Sequence, residues 1–302
     1  MLTRVPERAT VVDVSARDGL QAEPAVLSPA QRARWVRSLL AAGVPQAEAG
    51  SFVDPRRVPQ MAGTDQVLRL LAPFADRLWV LVPNLRGLEA ARDAGARNLV
   101  CLVSATETHS RANLGRPIRT VLEDLRPQVA TAAEAGLRLR VAISMAWIDP
   151  VEGPVPADRV VGICEALRAM GVTELTLCDT YGGASPRAVA DVLERVFGLF
   201  PRQAVGLHLH DTFGVASANT LVGLMLGVAR FDGAVGGLGG CPFAPGARGN
   251  MNTAHLVHLL GSLGVATGID PDRLDRVWEG CRAALADTVD GSQPAAPDFG
   301  PS

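Results

Sequence analysis

Absences narrow this chain first. It has no block of like charge: 29 basic and 31 acidic residues are dispersed over 302 positions, with a formal net charge of -2. Such a balance leaves no electrostatic footprint for nucleic acid or an anionic membrane surface, so the expected partners are small molecules. No run of roughly eighteen apolar residues occurs, and Met1-Leu-Thr-Arg-Val-Pro-Glu-Arg lacks the apolar core of a secretory signal. A soluble, cytoplasmic protein with no membrane partner is expected. Cysteine is scarce too: Cys101, Cys164, Cys178, Cys241 and Cys281 are odd in number and unpatterned, which argues against a disulfide framework and for a reducing compartment.

What is present is a repeated unit, an amphipathic run closed by a small residue plus glycine, with a short apolar run directly after. It recurs at Ala42-Gly43, Ala94-Gly95, Ala135-Gly136 and Met170-Gly171, and Gly227 before Val228 has the same character. Glycine in the left-handed conformation ends a helix, and strands that alternate with helices in this way form a parallel sheet through right-handed crossovers. Eight strands are expected, near 10–16, 44–49, 77–82, 97–104, 138–145, 173–179, 204–210 and 230–236. Helical stretches follow them, such as 28–42, 85–94, 119–135, 157–170, 185–199 and 217–227. Ser28-Pro29 and Ser185-Pro186 have the form of an N-cap followed by a proline at the first helical position. The fold class is therefore α/β, a (β/α)8 TIM barrel with an additional C-terminal helical segment at 270–286. One domain spans 1–288, and 289–302 has the composition of a flexible tail.

In a parallel barrel the chemistry gathers at the C-terminal ends of the strands, and the polar outliers of this sequence fall there. Val205-Gly-Leu-His-Leu-His-Asp211 is the most informative segment, because alternate side chains on a strand share a face, which puts His208 and His210 side by side. Arg17 and Asp18 end the first strand, Glu48 the second and Asp179 the sixth, while Gly237-Leu-Gly-Gly-Cys241-Pro leaves the eighth and Asn250 follows. Charged residues in apolar strand ends are costly unless paired or bound to a metal. Two imidazoles, the Asp18 carboxylate and the Asn250 amide leave room for water or substrate oxygens around a six-coordinate ion, which suits Mg2+ or Mn2+ better than a closed tetrahedral Zn2+ site. Asp13 and Glu48 are placed behind those ligands, orienting them. Asp179 has a competing explanation, a turn former before Thr180 or a cap for the helix at Ser185.

These residues bring the chain close to a known family. Arg17-Asp-Gly-Leu-Gln21, Glu48-Ala-Gly-Ser-Phe52, Val58-Pro-Gln-Met61, Pro83-Asn84, Asp179-Thr180, His208-Leu-His-Asp-Thr212 and Gly237-Leu-Gly-Gly-Cys-Pro-Phe-Ala-Pro-Gly246 with Gly249-Asn250 make it resemble the 3-hydroxy-3-methylglutaryl-CoA lyases over 9–285. The resemblance implies a metal-dependent carbon–carbon lyase that cleaves a 3-hydroxy-3-methylglutaryl-CoA-type thioester to acetyl-CoA and a keto acid, and it implies a homodimer. It further implies that Asp18, His208, His210 and Asn250 bind the ion, that Arg17 faces the developing thioester enolate, and that Cys241 acts as acid or base. Asp18 or a neighbouring histidine is then the base, and Asp13, Gln21, Glu48, Asp179 and Thr180 surround the ligands or the substrate.

Two departures bear on the substrate. Thr253-Ala254-His255 stands where the family usually has Thr-Glu-Asp, and Ile148-Asp-Pro-Val-Glu-Gly153, beside Trp147, stands where it has Gly-Cys-Pro-Tyr-Glu-Gly. A citramalyl-type or isoprenoid-extended 3-hydroxyacyl-CoA is accordingly an alternative substrate. A condensing relative or a small-keto-acid aldolase is an alternative reaction, and a barrel that only binds a ligand is an alternative class.

Overall fold

The computed structural model describes residues 5–240 and 249–289, apart from the side chains of 287–289. The eight barrel strands are β1 (Thr10–Asp13), β2 (Gln46–Ser51), β3 (Leu78–Leu81), β4 (Asn98–Ser104), β5 (Arg138–Ser144), β6 (Glu174–Asp179), β7 (Val205–Leu209) and β8 (Arg230–Gly233). All pair in parallel and close on themselves in the order β1-β8-β7-β6-β5-β4-β3-β2. Helices α1 (Pro29–Ala41), α2 (Thr64–Leu70), α3 (Leu85–Asp93), α4 (Ile118–Glu134), α5 (Ala157–Ala169), α6 (Pro186–Val196), α7 (Ala216–Met225) and α8 (Thr253–Ser262) pack around them. A ninth, α9 (Pro271–Val289), supplies the extra C-terminal segment and rests on α1, α8 and the turn after β8.

The local signals do what their chemistry requires. Ser28 accepts the Gln31 N–H while the Gln31 side chain accepts the Ser28 N–H, a complete capping box. Ser185 Oγ accepts the Ala188 N–H at 3.2 Å. The five helix-closing glycines all have positive φ. Gly43 is the most constrained, with φ +94° and the Gly268 carbonyl oxygen 2.2 Å from where a Cβ would stand.

Two strands are shorter than expected, for one shared reason. The Asp13 carboxylate accepts hydrogen bonds from the Ser15 N–H and hydroxyl, the Val235 N–H and the Thr253 hydroxyl. These side-chain bonds draw the chain after both β1 and β8 out of the ladder. Arg17 and Asp18 thus ride on a π-helical turn, Ser15–Gly19, rather than on the strand itself. Helices α2 and α8 lie outside the stretches named from the sequence. The first follows a left-handed Gly63 and the second an Asn252 cap that accepts the Ala254 N–H at 2.9 Å.

Side chains inside the barrel come from alternate strand positions. Val12, Trp79, Val100, Ala142 and Cys178 form an apolar cluster there, and the buried Glu48, Arg140 and Asp232 lie among them. Cys101, Cys164, Cys178 and Cys281 are free and buried. No helix among the described residues is long and apolar enough to cross a membrane. Residues 290–302 of the expected tail lie outside the described residues.

Candidate metal centre and active site

Strand β7 ends at Leu209 with His208 inside it. His210, one residue on, donates its N–H to the Asp179 carbonyl at 3.2 Å and forms an isolated bridge with Asn250. The two imidazoles share a face as the alternation requires, with Nε2 to Nε2 at 3.2 Å. The Ser15–Gly19 turn delivers Asp18, whose Oδ2 lies 3.8 Å from His208 Nε2 and 3.9 Å from His210 Nε2. One ligand atom from each of these three residues lies within 4.8 Å of the other two. Asn250 closes the group, its Nδ2 donating to Asp18 Oδ2 and to the Leu238 carbonyl, both at 2.9 Å. All four residues expected to ligate an ion therefore meet at one end of the barrel.

This donor set fits a divalent cation. His208 Nδ1 lies 3.3 Å from Asp232 Oδ2, a partner that holds the ring with Nε2 turned toward Asp18. His210 Nδ1 is buried without a hydrogen-bond partner. Two imidazole nitrogens converging on a carboxylate oxygen leave their lone pairs facing one point, which is unfavourable unless a positive charge sits there. Burial, and then the neighbouring His208, push His210 down to about 4, so it is neutral near pH 7 and able to ligate. Burial opposes charge on His208 as well, but the hydrogen bond to Asp232 and the nearby Asp18 raise it above the usual histidine range. Burial would raise Asp18; Arg17, both histidines and Asn250 outweigh it and keep this carboxyl ionised well below the usual range.

Arg17 stands against the same cluster. Its Nη1 meets Asp18 Oδ1 at 2.5 Å, and its Nε and Nη2 both reach Glu48 Oε2 at 2.5 Å. A guanidinium held on two sides by carboxylates has a fixed plane, as a donor aimed at developing negative charge must.

The remaining expected residues divide. Glu48 orients Arg17 rather than a metal ligand. Asp13 holds the turn that carries Asp18, and its own contacts are with Ser15, Val235 and Thr253. Asp179 accepts the N–H groups of Gly182, Gly183 and Ala184, so its carboxylate shapes the turn after β6, the competing explanation noted above. Thr180 Oγ1 accepts the N–H of Met145, the one non-glycine residue with positive φ among those described, at the end of β5. Gln21 is exposed just past the Ser15–Gly19 turn. Cys241 lies outside the described residues.

Sequence reasoning overlooked Asp232 and Arg140. Both are charged residues within strands, the signal that singled out Asp179, and Arg-Leu-Arg in β5 disguised Arg140 as half of a solvent-facing alternation. Also overlooked was a polar group at the ends of β4 and β5. His109 Nδ1 lies 3.1 Å from Ser104 Oγ and 3.3 Å from Ser144 Oγ, and Thr106 Oγ1 donates to Asp149 Oδ2 at 2.6 Å. Asp149 and Glu152 belong to the Ile148–Gly153 segment, where the sequence leaves the usual pattern. His255, the other departure, is exposed on α8.

Comparison with known proteins agrees with this geometry. A family model described as HMGL-like matches residues 8–279. The (R)-citramalyl-CoA lyase of Chloroflexus aurantiacus is 43% identical over 275 residues, covering 87% of this chain and 87% of that protein. The crystal structure of the HMG-CoA lyase from Brucella melitensis superposes with a TM-score of 0.88 at 38% identity, covering 93% of this chain and 100% of that one. An HMG-CoA lyase from Acinetobacter baumannii in complex with coenzyme A and 3-methylmalate gives a TM-score of 0.86 at 30% identity, covering 98% of each chain.

Proposed function

The chain belongs to the HMGL-like family and is a lyase, and from that premise we propose that it is a divalent-metal-dependent acyl-CoA lyase acting on a 3-hydroxy-3-methyl dicarboxylic acyl-CoA. The observation that carries this reading is the convergence of Asp18, His208 and His210 beside Arg17. Asp18, His208, His210 and Asn250 would hold Mg2+ or Mn2+, which when bound supplies Lewis acidity that lowers the pKa of a 3-hydroxyl.

The protein's own groups do the rest. A base at this end of the barrel, Asp18 or a histidine beside it, takes the hydroxyl proton. The carbonyl then forms as the C2–C3 bond breaks, and its electron pair passes to the thioester as an enolate. Arg17, clamped by Glu48 and Asp18, faces the charge on the thioester oxygen, where a preorganised donor contributes about 3 kcal/mol. Cys241 delivers a proton to the enolate carbon, giving acetyl-CoA. With hydroxymethylglutaryl-CoA the second product is acetoacetate; with citramalyl-CoA it is pyruvate.

The 43% identity to the Chloroflexus enzyme favours the citramalyl-type substrate as a second reading. Incubation with Mn2+ and a panel of 3-hydroxyacyl-CoA thioesters, scored for acetyl-CoA and for the keto acid released, tests the proposal. Release of acetyl-CoA from hydroxymethylglutaryl-CoA or citramalyl-CoA supports it, and no release from any member of the panel overturns it.

A further inference from the structure

One side chain touches both halves of the site. Arg140, in the middle of β5, is 1% exposed. Its Nη2 donates to Glu48 Oε1 at 2.5 Å, and its Nη1 lies 4.0 Å from Asp232 Oδ1. Its guanidinium carbon stands 4.4 Å from the centre of the Trp79 ring, a stacking contact that fixes the plane of the fork. Glu48 uses its other oxygen to hold Arg17, and Asp232 uses its other oxygen to hold His208. A continuous buried path thus runs Arg17, Glu48, Arg140, Asp232, His208.

We propose that Arg140 is a positioning residue that couples the enolate-facing Arg17 to the ion-binding His208 by holding the carboxylate that supports each. The inference rests on the function proposed above. Its physical basis is that Glu48 and Asp232 are buried carboxylates whose outer oxygens face the same cation from two sides. Removal of that cation leaves each carboxylate to turn toward its remaining partner, and so moves Arg17 and His208 together. The contact at Asp232 is longer than a hydrogen bond, and Nη1 and Oδ1 have no other hydrogen-bond partner. Charge and the Trp79 stack, rather than a bonded fork, therefore keep this end in place.

The test measures Mn2+ affinity by electron paramagnetic resonance, without substrate, alongside turnover of hydroxymethylglutaryl-CoA and citramalyl-CoA at saturating Mn2+. Glu48→Gln is expected to lower kcat with Mn2+ affinity unchanged, and Asp232→Asn to weaken Mn2+ binding. Arg140→Met is expected to do both, each by about tenfold or more, the scale on which supporting groups act. Arg140→Lys, which keeps the charge, should recover part of both losses and also serves if the methionine variant does not fold. A drop in thermal stability with Mn2+ affinity and saturating kcat within twofold of wild type, in whichever variant folds, overturns the inference. His210→Ala is the control for the underlying reading: if wild type binds Mn2+ no better than this variant, the ion site itself is wrong, and the coupling through Arg140 falls with it.

Discussion

Two imidazoles separated by one residue are shifted in opposite directions, and the difference is Asp232, which meets only His208. Asp232 and Asp18 raise His208 against the effect of burial, whereas burial and the neighbouring ring push His210 down to about 4 and leave it neutral. Replacement of His210 by alanine is therefore expected to remove a ready ligand and weaken Mn2+ binding by more than about tenfold, the loss typical of merely supporting groups. Cys241→Ala should show the opposite pattern, with Mn2+ affinity retained and kcat reduced by about 100-fold or more, as for loss of a general acid. A third substitution reads the site through the backbone. Gly239 has φ +96°, and a Cβ there would lie 2.5 Å from Asn250 Nδ2. Gly239→Ala should displace that amide and cost about tenfold in Mn2+ affinity, measured by titration calorimetry. An unchanged affinity would remove Asn250 from the ligand set.

At the scale of elements, Asp13 is a brace rather than a reagent. Its carboxylate ties the turn after β1 to the turn after β8 and to the start of α8 through Ser15, Val235 and Thr253, while burial raises its pKa above the usual range. Asp13→Asn keeps the shape but sets an amide N–H against donors, at a cost of about 2 kcal/mol. That corresponds to a fall of about 3 °C in Tm, which differential scanning calorimetry would read. The barrel was legible because every helix-to-strand junction of the five named is marked by a glycine whose φ proved positive, and because one alternation fixed the direction of both histidines. The convergence of Asp18, His208, His210 and Asn250 was legible too, since strand order alone brings β1, β7 and β8 into adjacency. The roles of Asp13, Glu48 and Asp179 were not. Each depends on which of several buried donors a carboxylate meets, and those donors come from turns, or for Glu48 also from Arg140 across the barrel, that the sequence does not place locally. Asp232 and Arg140 escaped because a charged residue in a strand looks the same from the sequence whether it faces solvent or the inside of a barrel.

The whole molecule carries no lysine, so apart from histidine every cationic side chain is a guanidinium that stays charged when buried. Inside the barrel, Asp18, Glu48 and Asp232 face Arg17 and Arg140, three carboxylates against two guanidiniums before either imidazole is counted. The excess negative charge lies where the two Nε2 atoms converge, and a divalent cation there would neutralise it and satisfy both rings. A ligand that binds the folded chain and not the unfolded one adds RT ln(1 + [L]/Kd) to stability, about 2.7 kcal/mol at a hundredfold excess over Kd. For a chain of this size that is a rise in Tm of about 4 °C. Addition of Mn2+ to protein treated with a chelator is expected to produce this rise in wild type and in Cys241→Ala, and to produce at most about half of it in His210→Ala. A wild-type Tm indifferent to Mn2+ at millimolar concentration would mean that the converging histidines balance the Asp18 charge by themselves, and that catalysis by this barrel uses no ion at that point.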